Sequence, residues 1–403
     1  MPGLLRKDLQ VMSEEIPREI PTQASSSGNH SIPELAIFFL RLGLTAFGGP
    51  AAHIAIMEDE LVRRRQWLSR DKFLDLLGAS NLIPGPSSSE LAIHIGYLRA
   101  GWPGLLVAGS CFILPATIIV GVLAWFYVRF GALPAVSAVL YGVKPVVIAV
   151  ILQALWGLGR TAVKSAFLAM AGAASVLLAF LGVHPLLLLV MAGCAAGLRQ
   201  LRTPRLSLSE FTFSAAPATL AGTTSAFSFT SLFFVFLKLG AVVFGSGYVL
   251  LAFLRADLVV HRGWLRDTQL LDAVAVGQVT PGPVFTTATF IGYLLGGTRG
   301  AALATFGIFL PAFLLVAVSG PLLPHIRKSK ISGAFLDGVN VASLALMAAV
   351  TWQLGRASLV DVTTVLLAVA SLVALWRLRW NSAWLVLMGA LAGVLARAFE
   401  RGL

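Results

Sequence analysis

The chain has few charged residues: they make up 12% of its 403 residues, against about 25% in soluble globular proteins. Hydrophobic residues make up 57%, and the mean hydropathy is +0.86. So few charges cannot cover a water-facing surface, and lipid must therefore be the main solvent of the folded chain. The composition thus excludes the two or three soluble domains that length alone would suggest.

Other scarce features exclude several classes of function. The two cysteines, Cys111 and Cys194, lie in apolar runs, and neither a disulfide framework nor a zinc-ligand spacing is present. The phosphate-binding pattern G-x-x-x-x-G-K-[ST] is missing, so an ATP-driven pump would need a separate ATPase subunit. No Ser-His-Asp or paired-carboxylate arrangement emerges in the apolar segments. We therefore predict no enzymatic activity, no metal site and no cofactor.

Basic residues nevertheless outnumber acidic ones, 30 to 18, which gives a net charge of +12. On a soluble protein this surplus would suggest a nucleic-acid partner. In so apolar a chain it is expected to divide between cytoplasmic loops, as the positive-inside rule requires, and positions inside the membrane. The predicted partners are accordingly membrane lipid and an anion, and not nucleic acid.

Apolar runs long enough for membrane helices occupy most of the chain, and they predict an all-α polytopic membrane protein. The polar residues 1–31 predict a disordered tail rather than a signal peptide, because no basic start leads into an apolar core. The Ser/Thr-rich segment 206–228 predicts a linker. It separates a first transmembrane unit, 32–205, from a second, 229–403.

The two units are predicted to be copies of one another. When the chain is shifted by 197 residues, 13 of the 40 positions from 47 to 86 are identical. The aligned pairs include Trp67 with Trp264, Pro84-Gly85-Pro86 with Pro281-Gly282-Pro283 and, after a one-residue deletion that makes the shift 196, Gly96-Tyr97 with Gly292-Tyr293. Shared hydrophobicity does not reproduce such an ordered set. Duplicated membrane units are typical of secondary transporters, which bind substrate near the repeat interface.

A broken helical hairpin is expected in each unit. Between Lys72 and Leu98 the chain is apolar but is interrupted by Pro84-Gly85-Pro86. Each arm of about twelve residues is ~18 Å long, which is too short to span ~30 Å of hydrocarbon. The hairpin is therefore predicted to be re-entrant, which leaves about five crossings in each unit. An odd number of crossings makes the second unit inverted relative to the first.

The distribution of basic residues favours inversion. The inverted arrangement gathers sixteen basic residues of the membrane units on one face and seven on the other. The positive-inside rule makes the larger group cytoplasmic. The N-terminal tail, with three basic residues, then lies outside and reduces the bias to sixteen against ten. Parallel repeats and the side of the N-terminus therefore stay open.

Two basic residues lie inside apolar runs at aligned positions. Arg41 and Lys238 each stand six residues before a repeated Phe-Gly pair. A basic residue at a helix centre costs about 2.5–3.5 kcal/mol on insertion scales, so a ligand-binding role is predicted for both. The structural alternative is snorkelling, or an ion pair with Glu34 or Glu90.

The Pro-Gly-Pro breaks predict helix starts that bind an anion. Half-helices are expected over 87–98 and 284–294, and their free N–H groups and positive dipole ends attract negative charge. A helix kink with capping hydroxyls is the alternative. With Arg41 and Lys238, the predicted substrate-binding residues are Gly48, Gly49, Gly245, Asn81, Pro84, Gly85, Pro86, Ser87, Ser88, Ser89, Gln278, Thr280, Pro281, Gly282, Pro283, Thr286 and Thr287.

The charges at this site suit a dianion. Arg41 and Lys238 supply two positive charges and the two helix starts ~0.5 each, so a tetrahedral dianion leaves the site near ~+1. An ionised Glu90 would cancel that surplus, and its protonation is one hypothesis for coupling anion movement to protons. Glu90 and a further intramembrane cation, Lys144, are the predicted coupling residues. A purely structural role of Glu90, in pairing with Arg41 or in closing the hairpin, is the alternative.

Two ordered sets of motifs carry a family resemblance. The first set is Phe47-Gly48-Gly49-Pro50 with His53, Trp67, Asn81-Leu82-Ile83-Pro84-Gly85-Pro86, Gly96-Tyr97 and Phe112-Ile113-Leu114-Pro115. The second set is Phe244-Gly245, Trp264, Gln278-Val279-Thr280-Pro281-Gly282-Pro283, Gly292-Tyr293 and Phe309-Leu310-Pro311. Together they resemble the chromate ion transporter family in its long two-domain form. The second unit departs from the first because Ser246-Gly247 replaces Gly49-Pro50 and no histidine matches His53, so whether the two units have equal roles stays open.

The resemblance implies a secondary transporter that carries chromate out across the bacterial inner membrane and so confers chromate resistance, with sulfate as a related oxyanion. The residues by themselves support only a tetrahedral or similar small anion. A passive anion channel is the second hypothesis, and a membrane-embedded enzyme acting on an anionic lipid is the third. The physiological oxyanion, the direction, the coupling ion and the oligomeric state, with a homodimer as one option, stay open.

Overall fold

The computed structural model describes residues 32–47, 49–81, 83–131, 133–201, 227–243, 249–326, 330–378 and 380–400. The described residues form helices and contain no β-strand, which confirms the all-α prediction. The predicted tail, most of the predicted linker, and Gly48 and Gly245 of the predicted site lie outside the described residues.

The helices of the second unit follow the same order as those of the first. Those of the first unit are α1 (Ile32–Thr45), α2 (Gly49–Glu58), α3 (Arg70–Ser80), α4 (Ser87–Phe130), α5 (Pro134–Ala162), α6 (Ala166–Phe180) and α7 (Pro185–Leu201). Those of the second unit are α8 (Phe229–Val242), α9 (Leu250–Leu254), α10 (Asp267–Val279), α11 (Thr287–Ile326), α12 (Lys330–Ser358), α13 (Val362–Val373) and α14 (Ser382–Glu400). π-Helical turns extend α2, α9 and α13 over Asp59–Arg64, Arg255–His261 and Ala374–Leu378.

Within the described residues, five helical segments are long and apolar enough to cross a membrane. They are Ser87–Phe130, Pro134–Ala162, Val284–Ser319, Gly333–Ser358 and Ser382–Phe399. Shorter apolar helices accompany them, among them α6, α7 and α8. The predicted multi-pass membrane protein with transmembrane helices is therefore confirmed.

Helix α4 contains a sharp reversal after its first three turns. Ala100 and Gly101 leave helical geometry, and Gly101 has φ +60°. Gly96 and Gly104 would be ~12 Å apart in a continuous helix. Instead they pack so closely that a Cβ on either would overlap the carbonyl oxygen of the other. The chain therefore folds back at Gly101 as a tight helical hairpin. The equivalent residues of α11 are Gly292, Gly296, Gly297 and Gly300.

Helices α5 and α12 pack side by side in opposite directions. Lys164, just after α5 ends, pairs with Asp337 near the start of α12 at 2.7 Å. At the other end the hydroxyl of Tyr141, near the start of α5, donates to Asp361, just after α12 ends, at 2.7 Å. The backbone N–H of Thr364 and the Tyr141 hydroxyl together lower the pKa of the exposed Asp361 carboxyl. End-to-start contacts at both ends define an antiparallel pair.

The two units are interleaved rather than packed as separate bodies. Helix α5 packs against α13 and α14 of the second unit, and α12 packs against α6 and α7 of the first. Close approach needs small residues, since a Cβ on Gly142 would overlap the backbone of Gly389, and one on Gly338 would overlap the backbone of Ala192. The largest hydrophobic cluster accordingly contains residues of both units.

Candidate functional site

Each Pro-Gly-Pro break contacts the end of the first helix of the other unit. The N–H of Gly85 donates to the carbonyl oxygen of Val243, just after α8, at 2.7 Å. The N–H of Gly282 donates to the carbonyl oxygen of Ala46, just after α1, at 3.0 Å. Gly282 aligns with Gly85, and Val243 with Ala46, at the same shift of 197 residues. The two hydrogen bonds are therefore reciprocal, and they join the breaks of both units.

Both central glycines are required by their backbone and by their neighbours. Gly85 has φ +141° and Gly282 has φ +87°, which residues with a Cβ rarely adopt. A Cβ on Gly85 would overlap Oε1 of Glu90, and one on Gly282 would lie 2.6 Å from the Cβ of Ala116. Ala312, which aligns with Ala116, is the next neighbour of Gly85. Each break therefore packs against the alanine that follows the motif Leu114-Pro115 or Leu310-Pro311 of the opposite unit.

The two helix starts after the breaks differ in detail. Helix α4 begins at Ser87, and Pro86, with ψ 94°, is its N-cap rather than its first residue. The second start is a 3₁₀ turn, Val284–Thr286, whose N-cap is Pro283. Both starts leave backbone N–H groups without an intrahelical acceptor, as any helix start does. The predicted positive ends of the half-helices are therefore present at both breaks.

Hydroxyl groups at the second break are already engaged by the backbone. Thr286 and Thr287 donate to the carbonyl oxygens of Pro283 and Val284, each at 2.8 Å. Thr280 donates to the carbonyl oxygen of Val276 at 3.0 Å. These hydroxyl protons stabilise the break and are not offered to a ligand in this conformation.

His53 links the first break to the end of α1. One ring nitrogen lies 3.3 Å from the Ser88 hydroxyl and the other 3.1 Å from the carbonyl oxygen of Ala46. The ring is fully buried, and it packs edge-on against Phe112. Because Ala46 also accepts the hydrogen bond from Gly282, this histidine connects the α4 helix start to the contact between the units.

Glu90 lies in the first turn of α4, beside Gly85. Its side chain is fully buried, and neither carboxyl oxygen has a hydrogen-bond partner among the described residues. His94, one turn further along the same face, is also buried, and its Nε2 is likewise unpartnered in the described part of the chain. Two titratable groups thus lie next to the break without hydrogen bonds that would fix their protonation.

The two aligned cations, Arg41 and Lys238, have different surroundings. Lys238 pairs with Asp257 at 2.6 Å, which compensates its charge. Arg41 is exposed on α1, and no ion pair to it is found within the described residues. Glu60, which aligns with Asp257, pairs instead with Arg65. The dianion site predicted on both cations stays a prediction. The negative charge of Asp257 lowers the net positive charge of that site by one.

Two histidines lie near the Lys238 pair, His184 in the α6–α7 connection and His261 at the end of the π-helical turn after α9. The rings of His184 and His261 are 5.5 Å apart. Burial lowers the pKa of His184, and the Asp257 carboxylate opposes that change. The carboxylate of Asp257 forms its ion pair with Lys238.

Lys144 is part of a polar network that joins the two units. Its ammonium lies 3.0 Å from one carboxyl oxygen of Asp272, and the Tyr127 hydroxyl donates to the other at 2.8 Å. The Asp272 side chain is 5% exposed. This ion pair fixes α5 and α4 of the first unit to α10 of the second.

The polar residues before the breaks face spaces of very different size. Asn81 is exposed and, with Ser87, lines an open cleft of about 620 Å³. Gln278, which aligns with Asn81, is buried beside a cavity of only about 10 Å³. The site is therefore open on the side of the first break and closed on the side of the second.

Several of these features were not predicted from the sequence. The interruption of the first helix at Ala46 and Phe47 was missed, although Gly48-Gly49-Pro50 is a break signal of the same kind as Pro-Gly-Pro. The acidic partners Asp257 and Asp272 were missed because each is distant in sequence from its lysine. Over the ranges described, no three His, Cys, Asp or Glu side chains cluster as metal ligands.

Apolar crossing helices, interleaved units and broken helices that meet between them define a membrane transport protein. A family model described as "Chromate transporter" matches the chain twice, over residues 33–198 and 230–394. The chain belongs to this family, which confirms the predicted resemblance and identifies a transport protein rather than an enzyme.

Similar proteins cover nearly the whole chain. A "Probable chromate transport protein" of Synechococcus elongatus is 35% identical over 386 residues, which cover 91% of this chain and 96% of that protein. "Chromate transport protein" of Cupriavidus metallidurans is 33% identical, covering 93% and 97%. The protein of the same name from Pseudomonas aeruginosa is 31% identical, covering 96% and 98%. No solved structure matches the chain.

Proposed function

We propose that this protein is a secondary transporter that moves chromate, and sulfate as a related oxyanion, across the bacterial inner membrane. Its proposed physiological direction is efflux, which confers chromate resistance. The observation that carries the proposal is the reciprocal pair of hydrogen bonds, Gly85 to Val243 and Gly282 to Ala46, at the contact between the units. Secondary transporters bind substrate at such interfaces, where discontinuous helices direct their ends to the ligand.

Inverted repeats with re-entrant hairpins are the proposed architecture. The antiparallel packing of α5 and α12, which are aligned helices, supports inversion, because units related by an axis along the membrane normal would run parallel. The short α3 and the reversal at Gly101 support a hairpin in which 70–99 enters and leaves the membrane on one side.

The proposed substrate site comprises the helix starts at both breaks and the two cations. The first helix start is the stronger candidate because Ser87, its first residue, borders an open cleft. Arg41 is exposed, whereas Lys238 becomes a ligand only when Asp257 releases it. The substrate anion then binds Lys238 by replacing the Asp257 carboxylate, and it is released when that carboxylate returns.

Proton coupling through Glu90 is supported by its burial without hydrogen-bond partners. An ionised carboxylate in such surroundings is costly, so a change in accessibility would change its protonation. The inside-negative membrane potential favours anion exit, and uptake would require coupled cations.

Radiolabelled chromate and sulfate flux in proteoliposomes, with imposed pH and voltage gradients, tests the proposal. We expect saturable flux with counter-transport, and a reduced rate for Arg41→Gln and Lys238→Gln. Arg129→Gln, an exposed arginine at the end of α4, is the matched control. Flux without saturation or counter-transport would indicate a passive channel instead. Normal saturable transport in both variants would contradict the dianion site.

Assembly as a homodimer within the lipid bilayer is a further hypothesis. The apolar surface of α14, with several large exposed side chains such as Trp384 and Phe399, suits contact with lipid or with a second copy. The molecular mass of the detergent-solubilised protein, measured by light scattering with the detergent subtracted, distinguishes a monomer from a dimer.

A further inference from the structure

The open cleft between α5 and α12 leads from an exposed mouth to a buried helix start. Its mouth carries the ion pair between Lys164, whose side chain is 60% exposed, and Asp337. The exposed Asn81 and the buried Ser87, at the start of α4, line the cleft as well. The volume of about 620 Å³ exceeds that of one tetrahedral oxyanion several-fold, so an ion can enter with part of its hydration shell.

The wall between mouth and helix start carries three further polar residues besides Thr161, whose hydroxyl already donates to the carbonyl oxygen of Leu158. They are Gln153 on α5, and Asn340 and Ser343 on α12. Asn340 and Ser343 are three positions apart and so share one face of their helix. Ser343 is 2% exposed, and its hydroxyl has no hydrogen-bond partner among the described residues. A buried hydroxyl left unsatisfied costs free energy, and a ligand in the cleft would supply its partner.

The charges that line the cleft cancel. Lys164 and Asp337 are its charged residues, and they pair with each other at 2.7 Å. The donors that the cleft offers to an anion are therefore neutral amide and hydroxyl groups and the helix start at Ser87. Such donors bind an oxyanion less strongly than a free cation would, which suits a site that must also release its ligand.

The aligned positions of the first unit do not form such a wall. Asn340 aligns with Lys144, and Ser343 aligns with Val147. Lys144 is held by Asp272, and the cavity beside Gln278, the residue aligned with Asn81, encloses only about 10 Å³. The polar wall is therefore present only beside the open cleft among these aligned positions, and the repeat of the two units does not explain it.

We propose that Ser343, Asn340 and Gln153 form a subsite that holds the oxyanion in the cleft before it reaches the helix start at Ser87. This inference rests on the proposed transport function. The subsite recognises a small anion with several acceptor oxygens, since each donor can bind a different oxygen atom. The proposed subsite gives a substrate-binding role to α12, a helix that contains none of the motifs on which the family resemblance rests.

Concentration dependence of chromate and sulfate uptake into proteoliposomes tests this subsite. The variants are Ser343→Ala, Asn340→Ala and Gln153→Ala. Ser371→Ala is the matched control, because that buried serine donates to the carbonyl oxygen of Leu367 in its own helix. We expect each cleft variant to raise KM about tenfold with a smaller change in kcat, since one hydrogen bond to a charged group is worth about that factor. The control should keep both constants.

Protection from thiol labelling gives a second readout. Ser343→Cys, in a background with Cys111 and Cys194 replaced by alanine, is treated with an anionic thiol reagent. Sulfate serves as the protecting ion because chromate itself oxidises thiols. We expect sulfate to slow labelling of Cys at this position, and chloride at equal ionic strength to have no effect.

The outcomes separate the subsite from the transport function. Unchanged KM in all three cleft variants, or labelling that sulfate does not slow, with saturable wild-type flux, overturns the subsite alone. Loss of saturable flux in the wild-type protein itself overturns the proposed function. If one variant does not fold, the other two decide, because the three side chains come from two helices.

Discussion

The N–H of Gly85 donates to the carbonyl oxygen of Val243 at 2.7 Å, so the break of one unit satisfies the end of a helix in the other. The last carbonyl oxygens of a helix receive no hydrogen bond from an N–H group of their own helix. Because the reciprocal bond joins Gly282 to Ala46, neither unit has a complete set of backbone hydrogen bonds at its break without the other. The centre of the molecule is thus shared by both units.

Gly85→Ala is expected to destabilise the protein and abolish chromate flux. The φ of +141° strains any residue with a Cβ, and the added atom overlaps the Glu90 carboxyl. We expect a loss of about 1–3 kcal/mol from the backbone strain alone. Thermal unfolding in detergent, together with proteoliposome flux, measures both effects.

The matched control for this change is Gly159→Ala. Gly159 is a helical glycine of α5 with open space where a Cβ would be added, so alanine there should leave stability unchanged or raise it by up to about 1 kcal/mol. A Gly85→Ala protein with wild-type melting temperature and flux would show that the close packing at the break is not required.

Asp272→Asn is expected to destabilise the protein strongly. The change keeps a partner for Tyr127 but leaves the Lys144 charge uncompensated in a mostly buried position. Breaking a buried ion pair from one side costs about 3–5 kcal/mol, whereas removing both charges costs less. A double-mutant cycle with Lys144→Gln, measured by unfolding in mixed micelles, gives the coupling free energy between the two side chains.

The exposed pair of Lys164 and Asp337 provides the comparison for that cycle. Because its lysine is largely exposed, Asp337→Asn should change the free energy of unfolding by no more than about 1 kcal/mol. Equal effects of Asp272→Asn and Asp337→Asn would contradict a structural role for the buried network.

Glu90→Gln is expected to make anion flux independent of an imposed pH gradient. Glutamine fills the same space beside Gly85 but has no proton to exchange. Initial rates of chromate flux are measured with and without a pH gradient at fixed voltage. Glu34→Gln, an exposed glutamate that pairs with Arg65, is the control. A pH-gradient dependence equal to that of the wild type would rule out coupling through Glu90.

Inversion of the units predicts opposite accessibility of aligned positions. Lys164 aligns with Val360, and both side chains are exposed in connections that follow aligned helices. In a background without native cysteines, an impermeant thiol reagent should label Lys164→Cys from the cytoplasmic side and Val360→Cys from the opposite side. Labelling of both from one side would instead indicate parallel units.

The sequence predicted the helices most accurately where apolar runs were long. The sequence from 133 to 158 is predominantly apolar and forms most of α5 (Pro134–Ala162), because the apolar side chains of such a segment gain from leaving water. The Pro-Gly-Pro breaks were also predicted, since proline cannot donate a backbone hydrogen bond and glycine alone tolerates the required φ. The serines after Pro86 stay predicted site residues, and the acidic partners of the lysines were not predicted.

Charge pairing depends on distances that no local pattern encodes. Lys238 was predicted as a ligand from its depth in an apolar run, yet Asp257 lies beside it only because α9 and its π-helical extension return to α8. Asn340 and Ser343 could not be recognised as cleft residues because α12, taken alone, is an ordinary apolar helix with scattered polar positions.

The sequence by itself determined that this chain is a helical membrane protein with the same glycine and proline motifs in both halves, because hydropathy and the backbone preferences of glycine and proline act locally. Only the tertiary structure decided which carboxylate meets each lysine, which break is open, and which face of α12 lines the cleft. These depend on interleaved packing of α5 and α12 with helices of the opposite unit, a long-range arrangement in which small residues allow close approach.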